Sequence, residues 1–319
     1  MVIIMTNKRK FIKRISIIII SILLAFSFIS MIATKVIYDS IFVRYDSDVS
    51  VSAKLSDMQN NRQTFDYEGE ENLLRGYLYE SSEKDKKDAL VVLAPGFHAG
   101  ADDYLWQIKS LCDYGWSVFA FDSTGSCESQ GESAVGFPQI LLDMDATLKY
   151  IENNNRFGYN DIVLLGHSRG GYAVCCALQY DYDVSAVVSV SGVNSAMEGI
   201  MGSSTQYVGN FAYANYGFLW LYQSMLFGAD TANVSADEEI SESDVPVLIV
   251  HGDNDETVPM DKFSIISHSD EISSDNVEYY ICRQENHNGH TDLLFDDDGS
   301  ANDKLMEAIN DFLLKSTNN

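Results

Sequence analysis

Gly166-His167-Ser168-Arg169-Gly170 sets a serine between two glycines. A serine hydroxyl is a weak nucleophile until a neighbouring base takes its proton and an acid orients that base. Both kinds of partner follow in the chain. Asp253, Asp255 and Glu256 lie in "HGDNDETVP", residues 251–259, and His287 and His290 lie in "RQENHNGHTDLL", residues 283–294. Nucleophile, acid and base in that order suit acyl transfer through a covalent intermediate. The five-residue motif alone is weak, and a serine ahead of a helix also serves as an N-cap.

The surrounding elements give the motif its weight. Short apolar runs at 89–94, 117–122, 161–166, 186–191, 245–250 and 277–282 read as strands covered on both faces. Amphipathic stretches at 102–114, 138–153, 170–180, 261–268 and 301–315 read as helices between them. Strand-helix alternation implies an α/β fold with a mostly parallel sheet. Two alternating runs at the front, "TFDYEG" and "LLRGYLYE", read as an antiparallel hairpin. Ser168 then sits on a sharp strand-to-helix turn. Each candidate acid and base follows the carboxyl end of a later strand.

These motifs resemble the α/β-hydrolases, and among them the serine aminopeptidase-like and Bem46-like hydrolases, over residues 64 to 315. "HGDNDETVP" is similar to the family's H-G-x-x-D-x-x-V-P, and "NGH" before "TDLL" to its Gly-His ending. "FDSTGSCESQG" is similar to its D-x-x-G-x-G-x-S-x-G loop, with Cys127 in place of one glycine. "APGFHAG" resembles the loop that supplies an oxyanion amide, with Pro95 where a histidine is usual. The resemblance implies Ser168 as nucleophile, Asp255 as acid, His290 as base, and the amides of Phe97 and Arg169 as oxyanion donors. It implies no cofactor. Asp253 and His287 remain the alternatives for acid and base. Some relatives carry an N-terminal membrane anchor.

Residues 195–243 separate two strands by more than an ordinary crossover. The stretch is rich in Tyr, Phe, Leu and Met, and reads as a small helical cap over one end of the sheet. His98, Tyr216 and Trp220 are the expected substrate-binding side chains, lining an apolar acyl pocket.

The ends of the chain differ in character. Residues 1–14 hold five basic and no acidic side chains, and Ile15 to Thr34 hold no charge at all. Twenty helical residues span about 30 Å, the thickness of a hydrocarbon core. The expectation is a basic cytoplasmic tail, a retained single-pass anchor at 15–34, a polar stalk at 35–60 and an extracellular hydrolase domain at 61–319. A cleaved signal peptide would have a shorter apolar run and a small-x-small site.

Six of the 21 basic residues and none of the 47 acidic ones fall in the first 35, so the remainder carries a net charge of −32. That excludes phosphate-neutralising binding to nucleic acid. Five cysteines without small-domain spacing argue against a disulfide framework. Their spacing to histidine resembles no zinc site. Asp296-Asp297-Asp298-Gly299-Ser300 lacks the spacing of a calcium loop, and Ser300 is read there as a helix N-cap. The expected partners are a small ester or acyl substrate and the membrane, with no metal and no obligate protein. A hydrolase fold kept for binding alone, or an anchored structural protein, are the competing function classes.

Overall fold

A computed structural model describes residues 2–47 and 53–317. The strands are β1 Gln63–Glu68, β2 Leu73–Tyr79, β3 Ala89–Ala94, β4 Ser117–Asp122, β5 Asp161–His167, β6 Ala186–Val190, β7 Val247–Gly252 and β8 Val277–Cys282. The helices are α1 Val2–Ile41, α2 Ala53–Asn61, α3 Leu105–Asp113, α4 Gln139–Glu152, α5 Arg169–Cys176, α6 Ala196–Val208, α7 Tyr216–Phe227, α8 Ala229–Asn233, α9 Ala236–Ser241 and α10 Asp303–Ser316.

The strands form one eight-stranded sheet in the order β1-β2-β4-β3-β5-β6-β7-β8. β1 and β2 form the expected hairpin, and β2 also meets β4 antiparallel. From β4 onward every pairing is parallel. Along β3, Leu90, Val92 and Ala94 enter one hydrophobic core while Ala89, Val91 and Leu93 enter the other. This is the two-residue period of a strand feeding two faces. One core lies under α4, α5 and the cap, and the other under α3 and α10. An unbroken apolar run is therefore the right sequence for these strands. The sheet is the fold of the α/β-hydrolases.

Two expectations need correction at the periphery. The last helix is capped by Asn302, whose side chain accepts from the amide of Leu305, and not by Ser300. In the 261–268 stretch only Ile265–His268 coils, as a single 3-10 turn. Ser264 bridges to Val193 there and interrupts any longer helix.

Residues 35–47 are packed against the body rather than standing free as a stalk. α1 continues to Ile41, burying Tyr38 at 1% and Phe42 at 3% exposure. Ala134 donates its amide to the carbonyl of Phe42 at 3.0 Å, and Cys127 donates to Tyr45 at 2.7 Å. Arg44 donates to the carbonyls of Ser129 and Gly131. Polar side chains had suggested a tether. The apolar residues between them, Tyr38, Phe42 and Leu55, are what dock.

Candidate active site

β5 is a central strand, and Ser168 follows its last residue. The chain reverses there with Ser168 at φ 56°, ψ −118°. That is a left-handed conformation whose cost, about 1–3 kcal/mol, persists only where the surroundings enforce it. They do so by close approach. A Cβ on Gly166 would lie 2.1 Å from the carbonyl oxygen of Gly170, and one on Gly170 would lie 2.2 Å from that of Ala94. The Ser168 amide donates to Val190 on the next strand at 2.8 Å, which fixes the turn to β6. The hydroxyl is thereby presented at the carboxyl end of the sheet, where α/β folds bind ligands.

The loops after β7 and β8 bring the other two groups to it. His290 Nε2 lies 2.8 Å from Ser168 Oγ, and His290 Nδ1 lies 2.7 Å from Asp255 Oδ2. The carboxylate can only accept, so Nδ1 carries the proton and Nε2 is left to accept from the serine. Asp255 is buried, and its other oxygen accepts from the amides of Thr257 and Val258 at 2.9 and 2.8 Å. Burial works to raise the Asp255 carboxyl. Bonds from His251 and His290, and the Val258 amide, outweigh it and hold the group well below the usual carboxylate range.

The alternatives are placed elsewhere. Asp253 accepts from the Asn288 side chain at 2.6 Å in a turn. His287 bonds the carbonyl of Phe295 at 2.6 Å and Asp297 at 3.1 Å.

Ser168 stands between two cavities. One, of about 470 Å³, is lined by Phe97, His98, Trp106, His290, Leu294 and Phe295 among others. The second, of about 90 Å³, is apolar and runs between Phe97, Phe137, Val258 and Phe263, with Ile41 and Phe42 in its wall. Phe97 borders both cavities beside Ser168. The Arg169 amide opens α5, where a helix N–H has no intrahelical acceptor. His98 lies at the larger cavity, stacked on Phe97 with ring centroids 4.0 Å apart, and burial followed by the nearby Arg169 lowers its pKa.

Tyr216 and Trp220 do not reach either cavity beside Ser168. α7 buries Leu219 and Gln223; Tyr216, 44% exposed, borders a separate cavity with Asn194, Asp237 and His268, and Trp220, 39% exposed, donates to Asn233 at 2.6 Å. The cap contributes instead through α6, with Glu198, Gly199, Ile200, Gly202 and Ser203 along the apolar cavity.

Three groups at the site escape a sequence reading. The Arg169 side chain is buried and donates to the carbonyls of Phe137 at 3.0 Å and Gly136 at 2.6 Å, so it clamps the loop before α4. Burial lowers it to about 10, which leaves it charged at neutral pH. His167 is buried and pushed down to about 3, by burial and then by the neighbouring His290. It touches both Tyr104 and the main chain of His290. Ile41 and Phe42, at and just past the end of α1, fall in the stretch 35–60 read as a polar stalk, and nothing local marks them as pocket walls. His167 has a signal, since it adjoins the nucleophile position, but its partners are distant in sequence.

The region 85–212 matches a family model described as serine aminopeptidase, S33. The human protein ABHD12B is 27% identical over 185 residues, 57% of this chain and 50% of that protein. A proline iminopeptidase of Saccharolobus solfataricus is 33% identical over 110 residues, 33% of this chain and 34% of that enzyme. The chain thus spans half or less of these curated relatives. Among solved structures, the Pyrococcus furiosus esterase Pf2001 superimposes with a TM-score of 0.64 at 17% identity, covering 86% of this chain and 98% of that one. Est1E from Butyrivibrio proteoclasticus with bound ferulic acid gives 0.61 at 19% identity, covering 79% and 98%. At these identities the structural likeness speaks for the fold.

Proposed function

We propose that the protein is a member of the α/β-hydrolase superfamily, whose fold it has, and within it a membrane-anchored serine hydrolase that cleaves carboxylic esters. The observation that carries this is the continuous chain from Asp255 through His290 to the hydroxyl of Ser168 at 2.7 and 2.8 Å, opening onto two cavities.

In this mechanism His290 takes the proton from Ser168 as Oγ attacks the ester carbonyl. Asp255, ionised because its hydrogen bonds favour the charge, holds the tautomer and stabilises the imidazolium. The amides of Phe97 and Arg169 bind the oxyanion, each such donor being worth about 3–4 kcal/mol of barrier. His290 then protonates the leaving alkoxide, the alcohol departs, and water attacks the acyl-enzyme by the same steps. The apolar 90 Å³ cavity suits the acyl part and the wider one the alcohol. The structural neighbour named an esterase, Pf2001, agrees with this chemistry. The uncharged helix at the N-terminus, preceded by a basic tail, supports an anchor with its N-terminus in the cytoplasm and the hydrolase outside.

A peptidase is the second reading, favoured by one observation: the family model matched over residues 85–212 is described as serine aminopeptidase. Full-length protein assayed on p-nitrophenyl esters from acetate to palmitate, and on aminoacyl amides, separates the two. Esterase turnover and fluorophosphonate labelling, both lost in Ser168→Ala, are expected. Equal turnover by folded Ser168→Ala would sink the mechanism.

A further inference from the structure

We infer that helix α7 of the cap lies in the outer leaflet of the bilayer that α1 crosses, and that the cavity beside Ser168 draws its acyl ester from that leaflet. The inference rests on the anchor and on the nucleophile proposed above.

The first observation is the contact between α7 and the span itself. Phe218 of α7 packs edge-on against Phe26 of α1 with centroids 6.1 Å apart. Asn215 donates to Thr34 Oγ1 at 2.8 Å, and Tyr222 meets Tyr38 at 5.1 Å. Phe26 lies eight residues inside Thr34, the last residue of the uncharged run. At the rise of an α-helix that is about 12 Å below the run's end. A side chain that touches Phe26 sits at hydrocarbon depth whenever α1 spans the bilayer.

The second observation is composition. Charged residues make up 21% of the chain, yet none occurs from Gly199 to Ala229. The third is exposure. Leu221, Met225 and Leu226 are 41%, 69% and 43% exposed, and Trp220 precedes Leu221 at 39% exposure. An apolar surface of this kind, continuous with the lipid-facing side of α1, has the bilayer as its fitting occupant. Trp is a side chain that favours the membrane interface. Water suits the rest of the body, with its net charge of −32 beyond residue 35.

The same arrangement places the site. Ile41 and Phe42, where α1 ends, form part of the wall of the apolar cavity that reaches Ser168. An acyl chain leaving the leaflet along α1 therefore meets that cavity first.

Trp220 is a native probe of the proposal. Full-length protein is reconstituted into phosphatidylcholine vesicles with or without brominated acyl chains, which quench tryptophan on contact. The lipid-quenchable emission should be present in the wild type and lost in Trp220→Phe. Leu23→Trp in the Trp220→Phe background reports the anchor. Quenching at position 23 without quenching at 220 overturns the embedding of α7 alone. No quenching at 23 overturns the anchor and the embedding with it. Leu221→Glu/Met225→Glu should lower turnover of a long-chain ester held in vesicles several-fold while leaving soluble acetate ester turnover unchanged. Equal losses on both substrates, or on neither, overturn delivery from the leaflet. Absence of all ester turnover in the wild type would instead count against the proposed chemistry while the quenching result stands.

Discussion

His167 Nε2 donates to the main-chain carbonyl of His290 across 3.0 Å, so the residue before the nucleophile holds the loop that carries the base. A carbonyl only accepts, so the proton is on Nε2 and Nδ1 is an acceptor. The hydroxyl of Tyr104 donates to Nδ1 at 3.0 Å and itself accepts from the amide of Gly96 at 2.9 Å. One chain of bonds thus joins the loop of Phe97, the turn of Ser168 and the loop of His290. It works only with neutral His167, and burial keeps the ring neutral, with a pKa of about 3.

His167→Phe should remove that link while keeping the volume. Losing a buried donor leaves acceptors unpaired at about 1–3 kcal/mol, or about 5- to 150-fold in rate if the loss falls on the transition state. We expect the fluorophosphonate labelling rate and kcat to fall by that factor with KM little changed. Tyr104→Phe spares the bond to His290 and should cost less. An unchanged kcat in His167→Phe would remove any positioning role.

Gly170→Ala tests the close approach at the turn. Its Cβ would meet the backbone oxygen of Ala94 at 2.2 Å, and main chain in a central strand cannot swing aside as a side chain can. Overpacking of this kind costs about 1–3 kcal/mol or more. Thermal unfolding should shift downward and labelling of Ser168 should be lost. A variant of wild-type melting temperature would show that the turn relaxes.

Phe42→Ala tests whether the anchor's end is part of the enzyme body. Phe42 is buried at 3% exposure, between Tyr38 at a centroid distance of 4.5 Å and Phe97 at 5.3 Å. Truncating a buried Phe costs about 3–5 kcal/mol. The full-length variant should unfold at lower denaturant and, with the wall of the Ser168 cavity removed, shift its ester preference toward longer chains. A change in neither would mean that residues 35–47 are only a tether.

How far the sequence can be read depends on which side chains face one environment. Strands β3, β4 and β8 start and stop where their runs do; β3 and β4 are buried throughout, whereas β8, at the edge of the sheet, buries only Cys282 and is not covered on both faces as its run suggests. β7 lies two residues later than its run suggests, since Pro246 has no N–H to give the ladder. Position past β7 and β8 leaves Asp253 and Glu256 beside Asp255, and His287 beside His290. The family resemblance names Asp255 and His290, and these are the two that lie within hydrogen-bond distance of one another, with His290 also within that distance of Ser168. α7 was not readable in its orientation. It is apolar all round, so no periodicity tells Leu219 and Gln223, which are buried, from Tyr216 and Trp220, which are not. The docking of residues 35–47 was hidden for a related reason. Single apolar residues among polar ones dock only if the partner surface is there to receive them.

His268 gives the cap a pH dependence whose sign can be worked out. Its Nε2 lies 2.8 Å from Glu198 on α6 and its Nδ1 3.1 Å from Glu271, with Asp237 of α9 at 3.9 Å. Both ring nitrogens face carboxylates, so both bonds need protons and the ring is favoured as the cation. Burial works to lower its pKa, but the bonds to Glu271 and Glu198 outweigh it and raise the value. A group raised on folding adds stability that is fully present below its unfolded value, near 6.5 for histidine, and is lost as pH rises through the folded value. His268→Gln should therefore unfold at lower temperature than wild type at pH 5.5–6, with the gap narrowing as pH rises past the folded value. The same acids surround a cluster, Asp237, His268 and Glu271, whose ligand atoms lie within 4.8 Å of one another. A divalent cation there would displace the proton and reverse the trend, so the gap is measured with and without chelator. A gap that is flat with pH, or that widens at alkaline pH, would show that His268 does not hold the cap as a cation.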